Sequence, residues 1–244
     1  MTLRIATWNT QWATPSRSSR QPSNYRGSRV ITTIANLDAD VIVITEGCRE
    51  LLPSDGHIVD AGADWGYDAP KSRRKVLAWS RTPFVDLVRI DTGAGSGRVL
   101  TARTETPLGP IRVTAVCIPW MSAHVSTGRS DAEPWSEHLE CCEQIRQLHD
   151  RLGTGTDAEP QVIAGDFNQR VPRGRQPLRV AAALDQLLDG WQLHTGGATP
   201  HGPLIDHIAA TQLELTGREV WPARDDVGAL SDHCGVRCSF RLRS

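Results

Sequence analysis

The stretch Val162-Ile163-Ala164-Gly165-Asp166-Phe167-Asn168-Gln169-Arg170 decides how this chain is read. Three apolar residues and a glycine make the end of a strand. Asp166 and Asn168 follow at alternate positions, and on an extended backbone residues i and i+2 point the same way. A carboxylate and a carboxamide are thereby presented side by side where a buried strand meets a loop. Gly165 lets another group approach the backbone closely. Such a pair suits aiming a water molecule at a phosphorus atom. A strand-end Asp and Asn that merely form a turn would read the same way, so the stretch alone leaves both readings open.

Four further segments share its form, an apolar run that ends in polar chemistry. Leu3 to Trp8 leads to Asn9, and Val41 to Thr45 leads to Glu46. Leu204-Ile205 leads to Asp206-His207, and Leu230-Ser231 to Asp232-His233. In chain order the pattern is N…E…GDFN…DH…SDH, running from Asn9 to His233. This order resembles the endonuclease/exonuclease/phosphatase family, which shares the fold of pancreatic deoxyribonuclease. GDFN with a terminal SDH is the specific part of the match. The WN pair and the single Glu gain their weight from order and spacing.

The resemblance implies one α/β domain over residues 1–244. It would be a four-layer α/β/β/α sandwich of two packed, mainly antiparallel sheets, with the site at one end of both. It also implies a Mg2+-dependent phosphoester hydrolase, with Mn2+ as a substitute cation and a phosphate ester, DNA or RNA among them, as substrate. Mg2+ takes oxygen ligands and keeps several waters, so one or two carboxylates suffice. Glu46 is the principal expected ligand, with Asn9 beside it and Asp232 as the second acidic candidate. Asp166 is assigned to the nucleophilic water and Asn168 to its orientation. His233 is expected on the scissile phosphate, with Asp206 holding its second nitrogen and favouring its protonated form. His207 points opposite to Asp206 on a strand. At Cys117, in RVTAVCIPW, relatives carry His or Tyr. A thiol reproduces neither side chain, which leaves a water held by the cation, or His124 in the next loop, to protonate the leaving group.

Composition narrows the rest. The chain has 244 residues and a net charge of −1, enough length for a sizeable core but no overall basic surface for gripping duplex nucleic acid. Positive charge is local. Arg170, Arg173, Arg175 and Arg179 follow GDFN, Arg73, Arg74 and Lys75 form a second cluster, and Arg17, Arg20, Arg26 and Arg29 a third. Arg170, Arg173 and Arg175 are the expected contacts to substrate phosphate, joined by Trp120 and His124 from the polar loop Pro119 to Glu133. The six cysteines lack metal-site spacing. There is no run of the ~18–20 apolar residues that spans a bilayer and no signal-like opening, which implies cytoplasmic thiols. Two other readings stay open: a phosphomonoesterase or lipid-type phosphodiesterase with the same machinery, and a non-catalytic binding protein on the same fold.

The pattern predicts a loop at Thr14–Ser23, then a helix with Val30, Ile34 and Leu37 on one face. Strands are expected at Val41–Thr45, Lys75–Phe84 and Arg112–Ile118. A helix is expected from Glu133 to Leu152, closed by Gly153, and a shorter one over Pro177–Leu188. The last strands fall at Leu204–Ala210, Leu213–Val220 and Cys234–Leu242, with Ser231 to His233 as loop. Many short strands and few helices imply two packed sheets flanked by helices.

Overall fold

The computed structural model describes residues 1–15, 25–153 and 159–243. Most of the expected Thr14–Ser23 loop, with Arg17 and Arg20, lies outside the described residues. In chain order the elements are β1 (Leu3–Asn9), α1 (Arg26–Ala35), β2 (Val41–Cys48), β3 (His57–Asp60), β4 (Arg73–Ser80) and β5 (Phe84–Arg89). Then come β6 (Val99–Thr106), β7 (Gly109–Cys117), α2 (Ser136–Leu152), β8 (Gln161–Asp166) and α3 (Leu178–Leu187). The chain closes with β9 (Gln192–Leu193), β10 (Asp206–Ala210), β11 (Leu213–Trp221) and β12 (Gly235–Leu242).

The strands make two six-stranded sheets, in the orders β11-β12-β1-β2-β4-β3 and β5-β6-β7-β8-β10-β9. Each sheet holds one parallel pair, β1–β2 in the first and β7–β8 in the second, and its other neighbours are antiparallel. Both parallel pairs lie near the middle, where the strands are apolar on both faces, as parallel strands require. Between the sheets, Leu3, Ile5, Val41 and Val43 meet Val113, Ala115, Val162, Ala164 and Ile208. Outside the first sheet, Val30 and Ile34 of α1 cover Ala6, Trp8, Ile42 and Ile44. Outside the second, α2 and α3 bring Cys142, Ile145, Leu148, Leu184 and Leu187 onto Val116, Ile163 and Ala209. The expected four-layer α/β/β/α sandwich is what forms. Each large apolar side chain buried here contributes roughly 1.5–3 kcal/mol. An exposed pair such as Arg146 with Glu143 contributes only ~0–1 kcal/mol, so apolar burial between the layers holds the sheets together.

Several boundaries differ from the sequence expectation. The strand expected over Lys75–Phe84 is two strands in different sheets: β4 stops at Ser80, and Phe84 opens β5. Pro83 therefore precedes a strand instead of closing one. The helix expected from Glu133 starts at Ser136, because Trp135 sits at φ 72° in the left-handed region and cannot be helical. Gly153, at φ 68°, does end that helix. The last strand begins at Gly235, leaving Ser231 to Cys234 as irregular chain. Strands β3, β5, β6 and β9 have no counterpart in the sequence reading.

Candidate active site

The register of the second sheet puts its functional groups in one row. Cys117 is opposite Asp166 and Asp166 is opposite Asp206, while the Cys117 amide donates to the Arg98 carbonyl at 2.9 Å. Two positions along each strand from these three residues stand Ala115, Ala164 and Ile208, all in the apolar layer between the sheets. The row thus opens into the end of that layer. Gly165 makes this possible. Its φ is +142°, and a Cβ there would lie 1.9 Å from the Val116 carbonyl oxygen. From the first sheet, β1 delivers Asn9 and β2 delivers Glu46 at neighbouring strand ends, with Asn9 paired to Thr45.

Asp166 is the hub. Its Oδ2 accepts from Asn9 Nδ2 at 3.0 Å and from Asn168 Nδ2 at 3.1 Å, and its Oδ1 accepts from the Asn168 amide at 2.8 Å. Asn168, at φ 51°, has left the strand and folded back, so simple alternation does not describe it. The turn reading and the paired-group reading of GDFN are both realised. The second Asn168 Nδ2 hydrogen goes to the Ile118 carbonyl at 2.8 Å. Burial, and then the neighbouring Asp206, raise the Asp166 pKa well above the carboxylate range.

Asp206 and His233 meet, with His233 Nδ1 2.5 Å from Asp206 Oδ2. The loop carrying His233 is pinned by Trp8 Nε1, which donates to the His233 carbonyl at 2.9 Å, and by Ser231 Oγ, which donates to the Asn9 carbonyl at 2.6 Å. Burial works against a charged imidazole here, yet Asp206, and behind it Asp166 and Asp232, outweigh it and push the His233 pKa up to about 10. Asp232 is on the open side, 57% exposed, with Oδ1 3.8 Å from His233 Nε2. His207 is turned away and buried between Thr195 Oγ1 and the Gln169 carbonyl, at 2.9 Å from each.

On the opposite flank Glu46 has φ 51°, a conformation that costs a non-glycine residue ~1–3 kcal/mol and clusters at functional sites. Its Oε1 accepts from Lys75 Nζ at 2.6 Å. A carboxylate that already holds an ammonium has the charge and the hard oxygen a Mg2+-type cation takes, so Glu46 fits a cation ligand. Asn9 Oδ1 accepts the Gln11 amide at 2.8 Å and keeps one lone pair. Among the described residues no three His, Cys, Asp or Glu side chains gather as a metal cage.

Cys117 is buried, and burial first, then Asp166 and Glu46, hold its thiol up at about 12, with Lys75 and Arg98 opposing. It is a neutral filler surrounded by four charged groups. Arg98 was not singled out from sequence. It is 2% exposed, and its guanidinium makes no hydrogen bond or ion pair among the described residues. A charge immediately before the buried run Val99-Leu100 was the available signal.

The expected substrate residues divide. A groove of about 450 Å³ beside Asn168 is walled by Met121, Trp135, Pro177 and Ile205 and carries Arg170 and Arg175. Arg170 also edges a second cleft that holds Asp206, Asp232 and His233. Arg173 is spent on its own loop, Nη1 donating to the Gln176 carbonyl at 3.0 Å. Trp120 is half exposed but does not line the groove; its neighbour Met121 does. His124 is corrected outright. It is buried, bonded to Glu137 through Nδ1 at 2.7 Å and to the Gly66 carbonyl through Nε2 at 2.9 Å, and stacked on Tyr67. It holds the loop together, and both of its ring nitrogens are taken. Of the other basic clusters, Arg26 caps the Thr10, Gln11 and Leu230 carbonyls, and Arg74 pairs with Asp60. Both are structural.

The Endonuclease/Exonuclease/phosphatase family model matches residues 6–233. The chain belongs to this family. Its members are hydrolases of phosphoesters, and this chain has their fold. No curated protein sequence matches it. Among solved structures it is similar to an endonuclease/exonuclease/phosphatase from Beutenbergia cavernae, at 22% identity over 100% of this chain and 72% of that one, with a TM-score of 0.61. It is similar to the 3' phosphatase NExo from Neisseria, bound to a product DNA hairpin, at 18% identity over 98% and 100% of the two chains, TM-score 0.67. It is similar to sphingomyelinase C from Streptomyces griseocarneus at 14% identity over 98% and 99%, TM-score 0.64. At these identities the likeness concerns the fold.

Proposed function

We propose that the protein is a metal-dependent phosphodiesterase of nuclease type. The observation that carries this reading is the joined row of Asp166, Asp206 and His233, opening beside a groove with two arginines whose side chains make no bond among the described residues. When bound at Glu46, Mg2+, or Mn2+ in its place, supplies charge neutralisation at a phosphoryl oxygen. The chain's own groups do the rest. Asp166, with its raised proton affinity, takes the proton of the attacking water, while Asn9 and Asn168 fix its carboxylate plane. His233 donates Nε2–H to the phosphoryl oxygen, and Asp206 fixes its tautomer and charge. Arg98, buried and with its guanidinium in no hydrogen bond or ion pair among the described residues, adds positive charge on the far side of Cys117. Cys117 contributes volume rather than a proton. Arg170 and Arg175 neutralise phosphate outside the reacting centre, and Met121 and Trp135 offer a face for a base. Asp232, beside His233, is a second acidic group for the cation or its waters.

A smaller substrate, a phosphomonoester or a lipid headgroup, is the second reading. It is favoured by the net charge of −1 and by a groove that, among the described residues, is lined by two arginines. The test is hydrolysis of a bis-aryl phosphodiester with Mg2+, with Mn2+ and with chelator, followed by a panel of single-stranded DNA, duplex DNA, RNA, nucleotides and lipid headgroups. Cation-dependent turnover with a preference for nucleic acid is expected, and Glu46→Gln should need far more Mg2+ for the same rate. No turnover with any phosphoester would overturn the catalytic reading, and exclusive turnover of a lipid or monoester would replace the first reading by the second.

A further inference from the structure

Glu46 is engaged by a cation of the chain itself. Thr45 pairs with Val76 and Gly47 with Arg74, so residues 46 and 75 stand opposite each other across β2 and β4. Lys75 Nζ lies 2.6 Å from Glu46 Oε1, and the two side chains are only 12% and 21% exposed. The contact is held from several sides. Lys75 Nζ lies 5.2 Å from the centre of the Trp12 ring, Trp12 stacks on Trp65 at 5.7 Å, and the Trp12 amide donates to the Glu46 carbonyl at 2.6 Å. Arg73 covers the same indole at 5.0 Å. An ion pair this enclosed is not a loose surface bridge of ~0–1 kcal/mol. Of the three basic residues clustered in sequence, Arg74 is committed to Asp60 and Arg73 to the indole; Lys75 alone reaches the site.

We propose that Lys75 is a resident counter-cation of Glu46. It holds the carboxylate in place while no divalent cation is bound, and it withdraws when one takes that oxygen. This rests on the reading of Glu46 as the cation ligand. An ammonium has three donors and no acceptor, and a divalent cation on either oxygen of Glu46 would lie within a few Å of it and be repelled directly. Occupation of Glu46 by a divalent cation is therefore in competition with the ion pair. The chain alone binds Mg2+ or Mn2+ more weakly than its carboxylate would permit, and loss of the Lys75 charge tightens binding.

The experiment is a Mn2+ titration of the full chain without substrate, followed by electron paramagnetic resonance of free Mn2+. Lys75→Met should lower the Mn2+ Kd by about tenfold or more, a modest share of the repulsion between two cations ~4 Å apart. Lys75→Arg keeps the charge and should bind as the unaltered chain does. Glu46→Gln should bind weakly, with or without Lys75→Met. If Lys75→Met does not fold, Lys75→Gln retains a hydrogen-bond donor and carries the same expectation. An unchanged or weaker affinity in the charge-free variants overturns the proposal, as does equal tightening in the Glu46→Gln background. The underlying reading fails separately: Glu46→Gln binding Mn2+ as well as the unaltered chain would remove Glu46 as the ligand.

Discussion

Asp166 and Glu46 are both strand-end carboxylates of one site, held by unlike means. Asp166, 2% exposed, is ringed by the amides of Asn9 and Asn168 and faces another carboxylate, Asp206, in the row. Its charge is met by neutral donors, with the His233 imidazolium acting through Asp206. Burial accordingly raises its proton affinity. Glu46 stands at the flank, bent by its positive φ onto the ammonium of Lys75. One environment raises the proton affinity of a carboxylate. The other holds a carboxylate directly against an ammonium. The two roles proposed for these carboxylates differ because their surroundings do.

The comparison breaks most sharply at Asp166. Asp166→Asn keeps the shape and removes the carboxylate proposed as the base, and its single carbonyl oxygen can accept either from the Asn9 and Asn168 side chains or from the Asn168 amide, not from both. It should lower kcat by at least ~10²-fold, and no excess of Mg2+ should restore it. The melting temperature should change little, because the lower cost of burying a neutral group is offset by the donor left without an acceptor. Glu46→Gln should behave oppositely, with much of its loss recovered at high Mg2+. Recovery of Asp166→Asn by Mg2+ would erase the distinction between the two carboxylates. Unchanged kcat at unchanged melting temperature would reduce Asp166 to a turn residue.

A smaller effect, with a sign, is expected one step along the row. His233→Ala should remove most turnover, and Asp206→Asn should remove less. With His233 held up to about 10, the imidazole is doubly protonated at neutral pH, and activity that needs that proton falls as pH rises through the raised value. Asp206 is the main group that holds the charge in place; burial opposes it. In Asp206→Asn the opposing effect remains and the supporting one is lost, so the alkaline limb of kcat/KM should move to lower pH. A limb that stays in place would detach Asp206 from the titration and leave it a purely packing partner.

The strand-end groups were legible because a period-two strand fixes where its last residues point. Asn9, Glu46, Asp166 and Asp206 all lie at or within two residues of the ends of strands that read plainly as apolar runs. The loop character of Ser231 to His233 was legible for a related reason: two adjacent residues cannot both serve one site from a regular strand. The rest was hidden by weak local pattern. β5, Phe84–Arg89, exposes both faces in part, so it carries no clean alternation. Arg98 and Lys75 gain their meaning from partners on neighbouring strands, Cys117 and Glu46, which sequence spacing does not reveal. His124 misled in the other direction. A histidine in a long polar loop after a site strand has the profile of a functional residue, but Glu137, thirteen positions on, claims it for the fold.

The smallest expected effect tests where the site ends and its surroundings begin. Arg170 and Arg175 line the groove beside Asn168 and make no side-chain bond among the described residues, whereas Arg173 is tied to the Gln176 carbonyl. Three arginines that look alike in sequence should therefore act unequally. The double variant Arg170→Ala/Arg175→Ala should raise KM for an oligonucleotide several-fold, with kcat for a small aryl phosphodiester nearly unchanged. An arginine that neutralises a phosphate releases a counterion from the nucleic acid. Without it, the salt dependence of log KM should flatten by roughly 0.7 per phosphate on a single strand. Arg173→Ala should leave both KM and its salt slope in place, and lower the melting temperature slightly through its loop. Measuring KM against salt for the two variants side by side separates the cases. Equal salt slopes in all of them would mean that nucleic acid does not pass over this groove, and the preference for a smaller phosphoester would gain what the nuclease reading loses.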